Sequence, residues 1–168
     1  MKKNFMLLLL LIAAVCVSAP AVVAQGNVKS GPEPSTVRDS ELEKDSLHNL
    51  EVARNYFNLK KAYVAALRRL EEVVATNPTF SKIDEVLFLA GESSKFLAEN
   101  KGKQSASQYV TLDNGAKRSP TAEEFREMAR GYLIRVVNDF PQSKFHKQAQ
   151  LDLESLGEAP AKAETAKP

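Results

Sequence analysis

The chain has 168 residues, of which 43% are hydrophobic and 26% are charged, and this composition suits one modest domain. Its 23 basic residues nearly balance its 21 acidic residues, so the sequence has no electrostatic footprint for nucleic acid. The single cysteine, Cys16, excludes a disulfide framework within the chain.

Residues 1–24 have the order of a secretory signal peptide. Two lysines precede a leucine-rich run, which gives way to small residues that end at Ala24. We predict cleavage after Ala24 and export to the periplasm or cell envelope. An uncleaved membrane anchor is the alternative, since residues 5–24 are just long enough to cross a bilayer.

Removal of this segment changes the chemistry of the mature chain. Lys2 and Lys3 leave with it, so 21 basic residues face 21 acidic ones and the net charge is zero. Cys16 leaves as well, and no thiol remains. Lipidation of Cys16 is a further alternative, although Val15 departs from the small residue that precedes the cysteine in bacterial lipoprotein signals. Attachment to a membrane, the outer membrane included, is expected only if Cys16 is lipidated or the signal stays uncleaved.

Composition divides the rest of the chain into three segments. Residues 25–40 contain two prolines and two glycines but few apolar side chains, which predicts a flexible linker. Residues 158–168 are mainly Ala, Lys, Glu and Pro without a core face, which predicts a disordered tail. Residues 41–157 have apolar side chains at helical spacing and few strand signals, so we predict an all-α domain.

Five helices are predicted in this domain. The first, second, third and fifth span about residues 41–58, 60–76, 81–99 and 143–156. The fourth begins at "SPTAEEF", where Pro120 suits a first turn and Thr121 with Glu124 predicts a capping box. Pro78 ends the second helix, because proline disfavours helix in the residue before it.

One helix pattern occurs twice, with every matching pair 63 residues apart. The positions are Ala66, Leu70, Val73, Val74 and Pro78 in the first copy and Ala129, Leu133, Val136, Val137 and Pro141 in the second. The spacing of small, apolar and proline positions resembles the second helix of a tetratricopeptide repeat. The resemblance implies that the two alanines lie at close helix crossings. Gly91 matches the small position of the motif's first helix, whereas Arg54 departs from it.

The resemblance covers about residues 45–157 and implies a tetratricopeptide-type helical solenoid, a right-handed superhelix of about two and a half repeats. Gly91 and Ala129 are 38 positions apart, against 12 for the corresponding Arg54 and Ala66. The second repeat therefore contains a long inserted loop, residues 100–119. The phrases "YFNLKKAYVAALRRLEEVV" and "YLIRVVNDFPQSKFHKQAQ" are similar to repeats of the BamD family, the tetratricopeptide lipoproteins of the outer-membrane β-barrel assembly machinery.

The mature sequence offers little for catalysis. His48 and His146 lie in different repeats without a cysteine or paired acids at ligand spacing, so no metal site is predicted. The segment "GESSK" matches only part of a nucleophile elbow, and the sequence has no phosphate-binding glycine loop. We therefore predict that the protein is not an enzyme and has no cofactor.

The repeat register implies a binding groove, because the first helices of successive repeats line the concave face of a tetratricopeptide array. The residues that it places there are His48, Glu51, Asn55 and Asn58 on the first helix and Glu85, Phe88, Glu92 and Lys95 on the third. Phe88 is the expected solvent-exposed aromatic residue of this groove.

The inserted loop is the second candidate contact. It has four basic residues and one acid, a net charge of +3, and its centre, Tyr109-Val110-Thr111-Leu112, is β-prone and precedes an Asp-Asn-Gly turn. A lone strand has no sheet to join in a helical solenoid, so Tyr109 and Leu112 are predicted to contact a partner. Alternatively, the loop is a mobile excursion whose Tyr109 and Leu112 pack on the third and fourth helices.

These features predict a non-catalytic protein-interaction adaptor of the bacterial cell envelope that assists outer-membrane protein assembly. Its partner is expected to be an envelope protein or peptide, and neither nucleic acid nor a small-molecule substrate. A secreted enzyme accessory subunit or a weak hydrolase is the alternative.

Overall fold

A computed structural model describes residues 34–157 of the chain. This part is mostly helical and contains five α-helices, which confirms the all-α class. The helices are α1 (Pro34–Arg54), α2 (Tyr63–Thr76), α3 (Ile83–Ala98), α4 (Ala122–Asp139) and α5 (His146–Leu156). A π-helical turn (Asn55–Lys60) extends α1, and a 3-10 turn (Ala106–Gln108) and two short strands, β1 (Thr111–Asp113) and β2 (Ala116–Arg118), lie between α3 and α4.

Several predicted segments lie outside the described residues: the signal peptide at 1–24 with Cys16, residues 25–33 of the linker, and the tail at 158–168. The remainder of the predicted linker differs from expectation, because α1 begins at Pro34 and residues 34–40 are helical. Proline is tolerated in the first turn of a helix, where its missing N–H would have no partner in any case.

Local signals set the ends of the helices. At the start of α4, the Thr121 hydroxyl accepts a hydrogen bond from Glu124 N at 3.2 Å, and the Glu124 carboxylate accepts one from Thr121 N at 2.7 Å. The predicted capping box is therefore confirmed. Pro120 precedes this cap instead of lying in the first turn. At the end of α2, Asn77 leaves the helical conformation, with φ −139° and ψ 73°, as expected for a residue before proline.

Each helix packs against the next one in sequence, from α1 through α5. Most of the largest fully buried side chains come from α1 to α4 and include Leu50, Leu67, Leu70, Leu87, Leu97, Phe125 and Leu133, and Phe80 joins them from the turn between α2 and α3. Burial of these stripes stabilises the domain, because each helix has an apolar face that only its neighbours cover.

Helices α3 and α4 approach each other closely at Gly91. Gly91 is fully covered, and a Cβ placed on it would lie 2.7 Å from Leu133 Cγ and 3.4 Å from the Ala129 carbonyl oxygen. Ala66 and Ala129 are both completely buried. Only glycine lets the two helices come this close without displacing Leu133.

We expect Gly91→Ala to lower the free energy of unfolding by up to about 2 kcal/mol. Overpacking a closed core costs ~1–3 kcal/mol, and alanine's better helix propensity returns only about 1 kcal/mol. Gly131→Ala is the matched control, because a Cβ on this α4 glycine meets nothing within 4 Å. The control should be stabilised by about 0.5–1 kcal/mol. Equal stabilisation of both variants in urea unfolding would contradict the close crossing.

Candidate protein-interaction surfaces

The groove face of α3 is occupied by contacts within the chain. The Arg54 guanidinium of α1 donates two hydrogen bonds to the Glu85 carboxylate, at 2.6 and 2.7 Å. Such a bidentate ion pair fixes both planar groups and leaves the Glu85 side chain only 13% exposed. Arg54 stands where the repeat motif has a small residue, and its side chain contacts α3.

Phe88 is not a solvent-exposed aromatic residue, contrary to the prediction. Its ring stacks on Phe145, at the start of α5, with 4.8 Å between the ring centroids and an angle of 16° between the planes. No local pattern indicates this pair, because the two residues lie 57 positions apart in the sequence. Helix α5 therefore covers the part of the predicted groove around Phe88.

Glu92 and Lys95 are also engaged by α5. The Lys95 ammonium lies 2.6 Å from a Glu92 carboxylate oxygen and 2.6 Å from an Asp152 carboxylate oxygen, and all three side chains are largely buried. Burial acts to lower the pKa of Lys95, but its bonds to Asp152 and Glu92 raise the pKa above its usual value. This charged cluster joins α3 to α5.

The α1 half of the predicted groove is accessible to solvent. The exposed residues of this half are His48, Glu51, Asn55 and Asn58. They lie on α1 and its π-helical extension. Helix α2 packs against α1, and α3 contacts it through the pair of Glu85 with Arg54. The structure therefore keeps one of the two predicted rows open to a partner.

The inserted loop begins as a cap on α2. Lys103 N donates a hydrogen bond to the Lys61 carbonyl at 2.8 Å, and Ala65 N, in the first turn of α2, donates one to the side-chain oxygen of Gln104 at 3.0 Å. Gly102 has φ +98°, and a Cβ there would lie 2.6 Å from the Lys61 carbonyl oxygen. Gln104 thus satisfies an N–H group that a helix start leaves without an intrahelical partner.

Tyr109 then anchors the loop between α2 and α4. Its side chain is 6% exposed, its hydroxyl donates to Glu71 Oε1 at 2.6 Å, and its ring meets Phe125 edge-on at 5.5 Å. Tyr132 of α4 donates to the same oxygen at 3.4 Å. Tyr109 therefore packs on the second and fourth helices, instead of the third and fourth as one alternative predicted, and it is not presented to a partner.

Burial raises the pKa of Glu71, and the hydrogen bonds from Tyr109 and Tyr132 offset only part of this rise. Burial also raises the pKa values of both tyrosines, with the Glu71 carboxylate adding to the effect. The three side chains form one partly buried polar network that joins the loop to two helices.

The centre of the loop is a β-hairpin, so the predicted lone strand has a partner within the chain. Strand β1 pairs antiparallel with β2, with Leu112 opposite Lys117. Asn114 and Gly115 have φ of 49° and 81°, and two successive positive values are typical of the type I′ turn that suits a two-residue hairpin. Arg118 of β2 pairs with Asp113 of β1 at 2.7 Å and with Glu124, at the start of α4, at 2.6 Å.

The hairpin stands over α2 and leaves an open cleft of about 350 Å³ between them. This hairpin cleft is lined by Arg68, Val110, Thr111, Leu112 and Lys117. Leu112, a predicted contact residue, is 73% exposed and Val110 is 39% exposed. A second cleft of about 340 Å³ adjoins it on α2, and Arg68 lines both.

Among residues 34–157, no three His, Cys, Asp or Glu side chains come together as metal ligands would. None of the helices in the same range has both the length and the apolar character for a membrane crossing. No protein-family model, curated protein or solved structure matches the chain.

Tyr109→Phe should lower the free energy of unfolding by about 1–2 kcal/mol, because the partly buried Glu71 carboxyl loses its shorter hydrogen bond. Tyr56→Phe is the matched control, since Tyr56 contacts Lys60 through its ring. The control should unfold at the same urea concentration as the parent protein. An equal midpoint for Tyr109→Phe would mean that the hydroxyl does not anchor the loop.

The raised pKa of Glu71 predicts a pH dependence. A glutamate in the unfolded chain has a pKa of about 4.3. Just above that pH the unfolded chain has released the proton, whereas Glu71 in the folded protein still holds it. Stability from this site therefore falls as the pH rises through that window. We expect the free energy of unfolding of Glu71→Gln, relative to that of the parent protein, to be higher at about pH 7 than at about pH 4.

Urea unfolding across this pH range measures the effect, with Glu72→Gln, an exposed neighbour on α2, as the control for loss of a negative charge. A stability difference between Glu71→Gln and the parent protein that does not change with pH would contradict the assignment.

Proposed function

We propose that the protein is a non-catalytic protein-interaction adaptor of the bacterial cell envelope, built as a tetratricopeptide-type solenoid of two and a half repeats. The supporting observation is the crossing of Gly91 with Ala129, where a Cβ would approach the Ala129 carbonyl to 3.4 Å and Leu133 more closely still. The tetratricopeptide motif has small residues at the positions that Gly91 and Ala129 match. The order of packing also supports it, since each helix contacts its sequence neighbour as helices of a solenoid do.

In this arrangement α1 with α2 and α3 with α4 form two helix pairs, and α5 is the half repeat. The contacts between first helices agree with it: Arg54 of α1 reaches Glu85 of α3, and Lys95 of α3 reaches Asp152 of α5. A solenoid needs a polar terminal element, and α5 carries only Ala149 and Asp152 fully inward.

The binding function rests on the surfaces that remain open. The exposed α1 row of the groove and the hairpin cleft are both accessible, and neither resembles an enclosed site that excludes water from a reaction. The partner that we propose is a protein or peptide of the envelope, reached after export directed by residues 1–24. Assistance to outer-membrane protein assembly is the role that the resemblance to the BamD family favours.

The adaptor function can be tested by photocrosslinking in living cells. A photoreactive amino acid at Asn55 samples the α1 row, and one at Leu112 samples the hairpin cleft. Lys147, exposed on α5, is the control position. We expect one envelope protein to be captured reproducibly from Asn55, Leu112 or both, and not from Lys147. No capture from either test position would contradict the adaptor function.

A further inference from the structure

We propose that the hairpin cleft binds an extended, acidic segment of the partner that carries an apolar side chain between its acids. This inference rests on the proposed adaptor function and specifies the chemistry of one of its two open surfaces. Three features of the cleft support it: basic side chains without an ion-pair partner, exposed apolar side chains, and a hairpin that is fixed at its base.

Two basic groups of the cleft have no ion-pair partner within residues 40–157. These are Arg68 on α2 and Lys117 on β2, both exposed. Arg118, beside Lys117, is already paired with Asp113 and Glu124 on the hairpin and at the start of α4. The two walls of the cleft thus each supply one positive charge that an acidic ligand could neutralise.

The carboxylates nearest Arg68 on α2 are already bonded to other groups. Glu71 is partly buried and accepts hydrogen bonds from two tyrosine hydroxyls, so Arg68 interacts with it only through space, and Glu72 pairs with Arg69 at 3.1 Å. Arg68 itself lies over the Tyr109 ring, with its guanidinium carbon 5.3 Å from the ring centroid. This contact orients the guanidinium at the edge of the cleft.

The apolar part of the cleft is presented by one face of the hairpin. Val110, the residue before β1, and Leu112 on β1 both line the cleft, and Lys117 lies directly across from Leu112 on the same side of the hairpin. Leu112 is 73% exposed. A ligand side chain that covers this exposed leucine and the valine beside it removes apolar surface from water, which stabilises the complex.

The hairpin is held in place before any ligand arrives. Its base is fixed by Tyr109 on one side and by the Arg118–Glu124 pair on the other. A preorganised site loses less conformational entropy on binding, so even a short ligand can bind measurably. A cleft of about 350 Å³ accepts a few side chains of an extended segment, not a folded domain.

The test uses the purified full chain and two fluorescein-labelled ten-residue peptides, measured by fluorescence anisotropy. The acidic peptide alternates aspartate or glutamate with leucine, and the basic peptide has lysine in place of every acid. We expect the acidic peptide to bind and the basic peptide to bind at least tenfold more weakly. Affinity for the acidic peptide should fall several-fold when the salt concentration is raised, because exposed charges are screened.

Variants locate the site. Lys117→Glu should weaken binding of the acidic peptide about tenfold by reversing a charge in the cleft, whereas Lys147→Glu on α5 should leave it unchanged. Leu112→Ser should weaken binding several-fold. Leu59→Ser is its matched control, since Leu59 is 74% exposed and lies away from the cleft. Thermal unfolding of each variant checks that the fold is retained.

Three results would overturn the inference: equal binding of both peptides, binding that Lys117→Glu and Leu112→Ser leave unchanged, or a preference of the cleft for vesicles of anionic lipid over the acidic peptide. None of these results would remove a crosslink from Asn55. The cleft inference can therefore fail while the adaptor function stands. Loss of the crosslinks from both positions would instead remove the adaptor function itself.

Discussion

The hydrogen bond from Tyr109 to Glu71 joins three parts of the chain that are distant in sequence. Glu71 lies on α2, Tyr109 lies in the inserted loop, and Tyr132 of α4 reaches the same carboxylate oxygen. The Phe125 ring closes the site from α4. Because the hairpin follows Tyr109 directly, its position over α2, and with it the hairpin cleft, depends on this buried contact.

Removing a carboxyl group from water costs free energy, because the group loses its hydration and regains only the hydrogen bonds that the site supplies. The Lys95 cluster between α3 and α5 has the same character, with a lysine between two carboxylates. Apolar contacts of similar size would often stabilise a fold as well or better. We infer that these polar contacts chiefly fix which surfaces meet, because a misplaced neighbour would leave a buried charge without its partner.

Local patterns made part of this fold predictable. The five helices follow from apolar periodicity, the start of α4 follows from Thr121 and Glu124, and the sequence repeat marked Ala66 and Ala129 as crossing positions. These signals lie within a few residues of the feature they determine, or recur in the chain.

Contacts between distant residues were not predictable from the sequence. Gln104 caps α2 from 39 residues away, and Lys95 meets Asp152 across 57. The hairpin is an intermediate case: the turn at Asn114 and Gly115 was visible, but β2 consists of Ala, Lys and Arg, which have little β propensity. Phe88 was expected in solvent because it lies between the two apolar faces of its helix, and no local pattern indicated its contact with Phe145.

The central claim is that the inserted loop is a fixed part of the domain and holds the hairpin cleft in a defined shape. Amide hydrogen exchange of the native protein tests it most directly, at Lys103 N and Tyr109 N in the loop, both of which donate to backbone carbonyls. We expect these amides to exchange far more slowly than those of an unstructured peptide, because the loop opens only when its anchors on α2 and α4 break. Exchange at the rate of an unstructured peptide, with α2 and α4 still protected, would contradict it.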